Sequence, residues 1–294
     1  MDLASLTVFR AVAREQSVTR AAARLGRAAS NITTRIQHLE DDLGVRLFQR
    51  DHKRMALTGP GQSFLHYAER ILSLADEARQ MLHPDAPMGR LRIGAMECAA
   101  ASRLPAPLAR FTAAWPQVVL ELSTGPSRSL QDAVLDYGLD CALIAIARGQ
   151  GAPDGLDQTP VFGEDLILLL PPGHPPVEHP AEILPKALAA FAPGCTYRAC
   201  LEDWLARDAS GIGRFTIQEV GSYHAMYAST AAGACFCVMP RSVLRLMAAS
   251  APVVEHPLLR IDTSLICRSG FATPAFCAFR DMLMPLSNLD PAET

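Results

Sequence analysis

Apolar residues fall at helical spacing from the start of the chain. Leu3, Leu6, Phe9, Val12 and Ala13 share one face and predict a helix over 3–14. Ser17 is suited to cap a second helix, with Val18, Ala21, Ala22 and Leu25 as its inner stripe and Gly26 as its stop. A third starts near Ala29 or Ser30, sets Ile32, Ile36, Leu39 and Leu43 on one face, and ends at Gly44. Two short helices joined by about four residues around a glycine have the dimensions of a helix-turn-helix. Val45–Phe48 and Met55–Leu57 then flank a polar, basic tip over Gln49–Arg54, which predicts a short β-hairpin, a wing.

After Gly59-Pro60-Gly61 a long helix is predicted to about Leu82. Its apolar residues Phe64, Ala68, Ile71, Ala75, Ala78 and Leu82 alternate steps of four and three, the seam of a coiled coil. A self-pairing helix implies a dimer; the competing reading is an amphipathic helix packed on its own domain. His83–Pro87 breaks the helix. From Gly89 onward, strands at Leu91–Met96, Val118–Leu122, Cys141–Ile146, Leu166–Leu170, Thr216–Val220, Cys235–Met239 and Ser264–Cys267 alternate with helices over 102–114, 127–137, 198–207, 223–233 and 274–285. That alternation predicts a parallel sheet with covered faces. The strands are too many for one compact sheet with such short helices, which predicts two lobes. The expected organisation is a head over 1–58, a linker helix over 59–88, and an α/β domain over 89–294. Its first lobe takes about 89–162 and 265–294, its second about 163–264. In open sheets, ligands bind beyond the carboxyl ends of strands.

Composition narrows the class. The 294 residues are 49% hydrophobic and 19% charged, enough for large cores and too apolar for general disorder. The N-terminus shows no secretory pattern, and no window reaches the roughly 18 apolar residues of a membrane span, so a cytoplasmic protein is expected. The eight cysteines then read as reduced thiols, and they lack the paired C-x-x-C spacing of a zinc site. No metal or cofactor is expected. The net charge of −3 hides an asymmetry: residues 1–58 hold ten Lys/Arg against six Asp/Glu, a balance of +4, which leaves −7 on the rest. A basic head on an acidic body suits a protein that meets a polyanion with its head alone.

These residues resemble a known family. F-x-A-V-A at Phe9–Ala13, S-x-T-x-A-A-x-x-L at Ser17–Leu25, I-x-x-L-E at Ile36–Glu40, L-G-V-x-L-F-x-R at Leu43–Arg50 and L-T-x-x-G at Leu57–Gly61 agree in order and spacing with the N-terminal domain of LysR-type transcriptional regulators. The resemblance implies a winged helix-turn-helix, a linker helix, and a two-lobed α/β effector domain of the periplasmic-binding-protein type. It also implies double-stranded DNA with inverted-repeat operators as a partner, a small-molecule effector, a dimer or dimer of dimers, and contact with RNA polymerase. Within the family, GAMECAAASRLPAPLARF, GCTYRACLEDWL and GSYHAMYASTAAGACFCVMPRSVL resemble a subgroup that includes regulators of glutamate and polyamine metabolism.

The family docks its third helix in the major groove, where base edges carry a pattern that side chains can distinguish. Here that helix offers Ser30, Asn31, Thr33, Thr34, Arg35, Gln37 and His38, with Asn31 and Arg35 long or forked enough to reach bases. Arg50, Lys53 and Arg54 on the wing suit backbone or minor-groove contacts. The chain departs from the family pattern at Ala28, where a Ser cap is usual, and at Ala29, where Gln is usual. Ala29 makes no bidentate bond to adenine, so the operator of a relative does not transfer.

The family's effector sits between the lobes. In this chain the resemblance places it among Glu97, Cys98, Ala99 and Ser102, with Gly125 and Ser127, and then Cys195, Thr196, Tyr197, Arg198, Ser222, Tyr223 and His224. Glu97 favours an ammonium and Arg198 a carboxylate, so the pair predicts an amino acid or related amine; the competing reading has them paired with each other or with solvent. Cys195 lies at a predicted helix N-terminus beside Arg198, a setting that lowers a thiol pKa, so redox sensing through Cys195, with Cys200 nearby, is the alternative. An enzyme using Cys195 and His224 lacks an orienting third group or a phosphate loop. A structural nucleoid protein has no need of some 200 residues of ligand domain.

Overall fold

The computed structural model describes the chain except for residues 52–53, 84–85, 147–150, 152, 209–210, 248–251 and 285–294, and for the side chains of Arg50 and Asp51. It divides into two compact units, residues 1–84 (with 136–138 grouped there) and the remainder of 85–294. Among the described residues no helix is long and apolar enough to cross a membrane.

In the first unit, α1 (Leu3–Glu15), α2 (Val18–Leu25) and α3 (Ala29–Leu43) form where the apolar periodicity places them. The Ser17 side chain accepts the Arg20 backbone N–H, and Gly26 and Gly44 close α2 and α3 in the left-handed region. Phe9 is fully buried, with its ring 5.3 Å from Phe48 and 5.1 Å from Phe64. The wing is β1 (Phe48–Asp51) paired antiparallel with β2 (Arg54–Leu57). Thr58 caps the long α4 (Gly59–Met81) and also donates from Oγ1 to the Arg46 carbonyl at 2.8 Å. Gly61 is required at this junction, because a Cβ there would lie 2.0 Å from the Leu47 carbonyl oxygen.

The apolar rows of α4 divide differently from the expected seam. Ala68 and Leu72 are buried in the head core, and Phe64, Leu65 and Ile71 pack against it. The row left open is Tyr67, Leu74 and Met81, seven residues apart and 58%, 49% and 52% exposed. The head therefore uses Phe64, Ala68 and Ile71 of the expected seam, while Ala78 and Leu82 of that seam stay exposed beside the Tyr67–Leu74–Met81 stripe.

The second unit is α/β. Its first lobe is built on β3 (Gly89–Ala95), α5 (Glu97–Ser102), α6 (Pro105–Ala114), β4 (Val118–Thr124), α7 (Ser127–Leu135) and β5 (Cys141–Ile146). The second holds β7 (Ala187–Ala190), α8 (Thr196–Leu205), β8 (Thr216–Glu219), α9 (Tyr223–Ala231), β9 (Phe236–Pro240) and α10 (Arg241–Leu246). Two 15-residue strands, β6 (Leu156–Leu170) and β10 (Val254–Arg268), pair antiparallel along their length and run through both lobes, and α11 (Pro274–Leu283) follows. The strand order is β4-β3-β5-β10-β6-β9-β7-β8.

The sheet is thus mixed, a correction to the parallel sheet expected. Pairs β3–β4, β3–β5, β7–β8 and β7–β9 are parallel, while β10 runs antiparallel to β5 and β6, and β6 to β9. The β6–β10 ladder shifts register between Pro257 and Leu259 and again between Thr263 and Ser264. Such shifts bend paired strands, which lets one ladder serve two lobes.

Candidate functional site

The head presents a polar surface on α3. Ile32, Ile36 and Leu39 are buried, so at 100° per residue the opposite side of the helix faces outward. Ser30, Asn31, Thr34, Gln37 and His38 are exposed there. Thr33 is half-buried, and its Oγ1 donates to the Ala29 carbonyl at 3.1 Å. Arg35 is tied within the head: Nη1 donates to Asp2 Oδ1 and Oδ2 at 3.2 and 3.3 Å. Ala28, at the cap of α3, makes no side-chain capping bond, which leaves the first-turn N–H groups as donors. On the wing Arg54 is exposed, the backbone of Arg50 pairs with Met55, and Lys53 lies outside the described residues.

A cavity of about 280 Å³ opens between the lobes of the second unit. Of the expected residues, Glu97, Cys98, Gly125, Ser127, Cys195, Tyr197 and Tyr223 line it. Each comes from where a strand or its connection meets a helix, the carboxyl edge that open sheets use. Tyr223 stacks edge-on against Phe191, another wall residue, with centroids 4.8 Å apart. Cys98 Sγ donates to the Tyr197 hydroxyl at 3.4 Å, and Ser127 Oγ to Met96 Sδ at 3.2 Å.

The remaining expected residues do not line the cavity. Ala99 is buried, and Ser102, at the far end of α5, donates to the Cys98 carbonyl at 2.7 Å. Thr196 Oγ1 donates to the Ala145 carbonyl at 3.3 Å. Ser222 caps α9 in position only, with no side-chain capping bond. His224 is exposed, yet close enough for its charge to act on Glu97. Arg198 is engaged elsewhere: Nε donates to Glu202 Oε1 at 2.7 Å and Nη1 to the Phe191 carbonyl at 2.9 Å.

Glu97 sets the electrostatics. Burial raises its carboxyl pKa, and the charge of His224 opposes that shift. Its Oε2 is buried with no hydrogen-bond partner among the described residues. A second carboxylate, Glu219, also lines the cavity, and no lysine or arginine does among the described residues. Glu219 was not among the expected site residues. Its signal in the sequence was its place at the carboxyl end of β8, just before the Gly221-Ser222 turn into α9.

The thiols correct another expectation. Burial raises the Cys195 pKa and outweighs the backbone N–H groups of Arg198 and Tyr197, which favour the thiolate. Burial likewise raises Cys200, and pushes Cys98 up to about 12. Both Cys195 and Cys200 are free thiols. The helix N-terminus at Cys195 is real, but desolvation is the larger effect.

Comparison with known proteins agrees with this architecture. Residues 3–62 match the model of the bacterial regulatory helix-turn-helix protein, lysR family, and residues 84–286 match that of the LysR substrate binding domain. The chain is 36% identical to YusT, an uncharacterized HTH-type transcriptional regulator of Bacillus subtilis (strain 168), over 99% of this chain and 98% of that protein. It is 35% identical to the HTH-type transcriptional regulator GltR of the same organism, over 95% of each. Among solved structures, full-length CbnR complexed with its target DNA superposes with a TM-score of 0.67 at 23% identity, covering 98% of this chain and 100% of that one. A full-length OxyR variant from Pseudomonas aeruginosa gives 0.72 at 21%, covering 97% and 98%. At these identities the two structures speak for the fold.

Proposed function

This chain belongs to the LysR family of DNA-binding transcription regulators, and from that premise we propose that an organic cation held by Glu97 controls its grip on DNA. The single observation that carries the ligand class is the buried, unpartnered Oε2 of Glu97 in the interlobe cavity. A buried acceptor without a donor costs about 1–3 kcal/mol, and an ammonium removes that cost while adding charge. Glu219 supplies a second negative site nearer solvent, since it is exposed. Phe191, Tyr197 and Tyr223 provide aromatic walls that tolerate a cation. A ligand carboxylate finds no described cation on the wall, because Arg198 is spent on Glu202 and Phe191. These features favour an amine over an amino acid. They fit the subgroup of the family that includes regulators of glutamate and polyamine metabolism.

On the DNA side we assign base reading to the exposed face of α3 and backbone contact to Arg50, Lys53 and Arg54. The working form is a dimer, or a dimer of dimers that also meets RNA polymerase, bound to an inverted repeat. Tyr67, Leu74 and Met81 of α4 supply the pairing stripe, because heptad spacing keeps one face toward a partner helix. The ligand acts through its different affinity for two arrangements of the paired chains.

Calorimetric titration of the full-length protein with monoamines, α,ω-diamines and amino acids tests the ligand assignment. The expected result is heat from amines with the wild type and at least a tenfold weaker response from Glu97→Gln, about 1.4 kcal/mol. Absence of heat from every amine, or equal affinity in the variant, contradicts it.

A further inference from the structure

Arg35, on α3, is held by the N-terminus of α1. Nη1 donates to both oxygens of Asp2 at 3.2 and 3.3 Å, and Ser5 Oγ stands 3.4 Å away. Asp2 is also the N-cap of α1, where Oδ1 accepts the Ser5 backbone N–H at 2.6 Å. That backbone bond, with help from Arg35, lowers the Asp2 carboxyl pKa, so the group is anionic at neutral pH. One carboxylate therefore caps one helix and fixes a cation on another. Asp2 and Arg35 share an open depression with Asn31, Thr34 and His38, residues of the exposed side of α3. All three contacts come from Nη1, so among the described residues the Nε and Nη2 donors of the planar guanidinium have no partner.

We propose that Asp2 is a specificity-setting residue of the DNA-reading surface, holding Arg35 by Nη1 so that the rest of the guanidinium meets the duplex in one orientation. The proposal rests on the assignment of base reading to α3. A tethered arginine loses its rotamer freedom before DNA arrives, which favours an acceptor at one position on a base edge. Released, the same arginine reaches any nearby phosphate. Asp2 also repels phosphates, whatever the sequence. The repulsion weakens binding to every duplex alike, whereas the tether weakens binding to an arbitrary duplex more than to one that satisfies the oriented fork.

The test uses the full-length protein and two duplexes, one selected by that protein from a random-sequence pool and one unselected member of the pool. Asp2→Asn and Asp2→Ser both keep a good helix cap and remove the charge, so neither sacrifices α1. The expected result for each is an affinity for the unselected duplex that rises about threefold or more, with a salt slope steeper by about one phosphate contact. The selected duplex gains less, and the discrimination ratio falls. In an Arg35→Gln background the same substitutions leave the ratio unchanged. Equal gains on both duplexes, or the same fall in ratio with and without Arg35, overturn the role of Asp2 and leave base reading by α3 standing. An Arg35→Gln variant that binds both duplexes as the wild type does overturns the role of Arg35 and, with it, that of Asp2.

Discussion

Glu40 Oε1 accepts the backbone N–H of Leu47 at 2.8 Å, fastening the last turns of α3 to the start of the wing. The same oxygen accepts the Phe48 N–H at 3.0 Å, and Oε2 takes Arg46 Nη1 at 2.8 Å, so a carboxylate only 5% exposed is fully used. Glu40→Ala strands two N–H groups and is expected to cost the head about 2–4 kcal/mol. Glu40→Gln keeps one acceptor, loses a pair with an exposed arginine, and should cost about 1 kcal/mol. Thermal melting of the head transition ranks the two; an Ala variant that melts with the wild type refutes this role.

That contact explains part of what the sequence made legible. The I-x-x-L-E and L-G-V-x-L-F-x-R segments are joined by Glu40 itself, and the glycine of L-T-x-x-G lies where a side chain would strike Leu47. Helix caps and apolar stripes are local signals, so α1 to α4 lie within a residue or two of expectation. The long strands were not local. β6 and β10 contain Pro160 and Pro257 and polar stretches that resemble loops, so only their apolar ends, near 166–170 and 264–267, stood out. β7, over Ala187–Ala190, offers a strand pattern too short and too alanine-rich to recognise. In the cavity, Glu97 and the Cys195–Tyr197 turn followed from the family resemblance. The diversion of Arg198 to Glu202, its i+4 neighbour on α8, is a choice of partner that spacing permits and does not dictate.

The pairing stripe gives a prediction about assembly. Leu74 is 49% exposed at the middle of the Tyr67–Leu74–Met81 row, where two copies would bury it. Leu74→Glu places like charges face to face across the pair. Light scattering should then find monomers at micromolar concentration while melting of each unit is retained. A variant that keeps the wild-type mass moves the interface away from α4.

The cysteines predict indifference to oxidant. With its pKa raised by burial, Cys195 is mostly thiol at neutral pH, and the thiol is the unreactive form. Peroxide at submillimolar concentration should leave DNA affinity unchanged, and alkylation of Cys195 should accelerate as the pH rises above neutral. Rapid labelling at neutral pH with loss of DNA binding restores the redox alternative.

Glu97 predicts a pH dependence with a definite sign. Its pKa is raised in the folded protein, so the folded state holds the proton more tightly than the unfolded chain. The resulting stability is fully present below the unfolded-state carboxylate pKa and is lost as the pH rises through the raised value. Glu97→Gln should accordingly melt with the wild type at acid pH and above it at neutral pH. Amine affinity runs the other way, since the cation needs the ionised carboxylate: it should grow across the same window, with a proton released on binding. A pH-independent affinity contradicts the assignment.

Footprinting of the full-length protein on genomic DNA, with and without a calorimetrically identified amine, joins the head to the cavity in one measurement. Discrete inverted-repeat footprints are expected, and they should shift in extent or occupancy when the amine is added to the wild type and stay fixed in Glu97→Gln. Diffuse coverage without preferred sites, or footprints that the amine leaves unchanged in the wild type, would contradict regulation through this cavity.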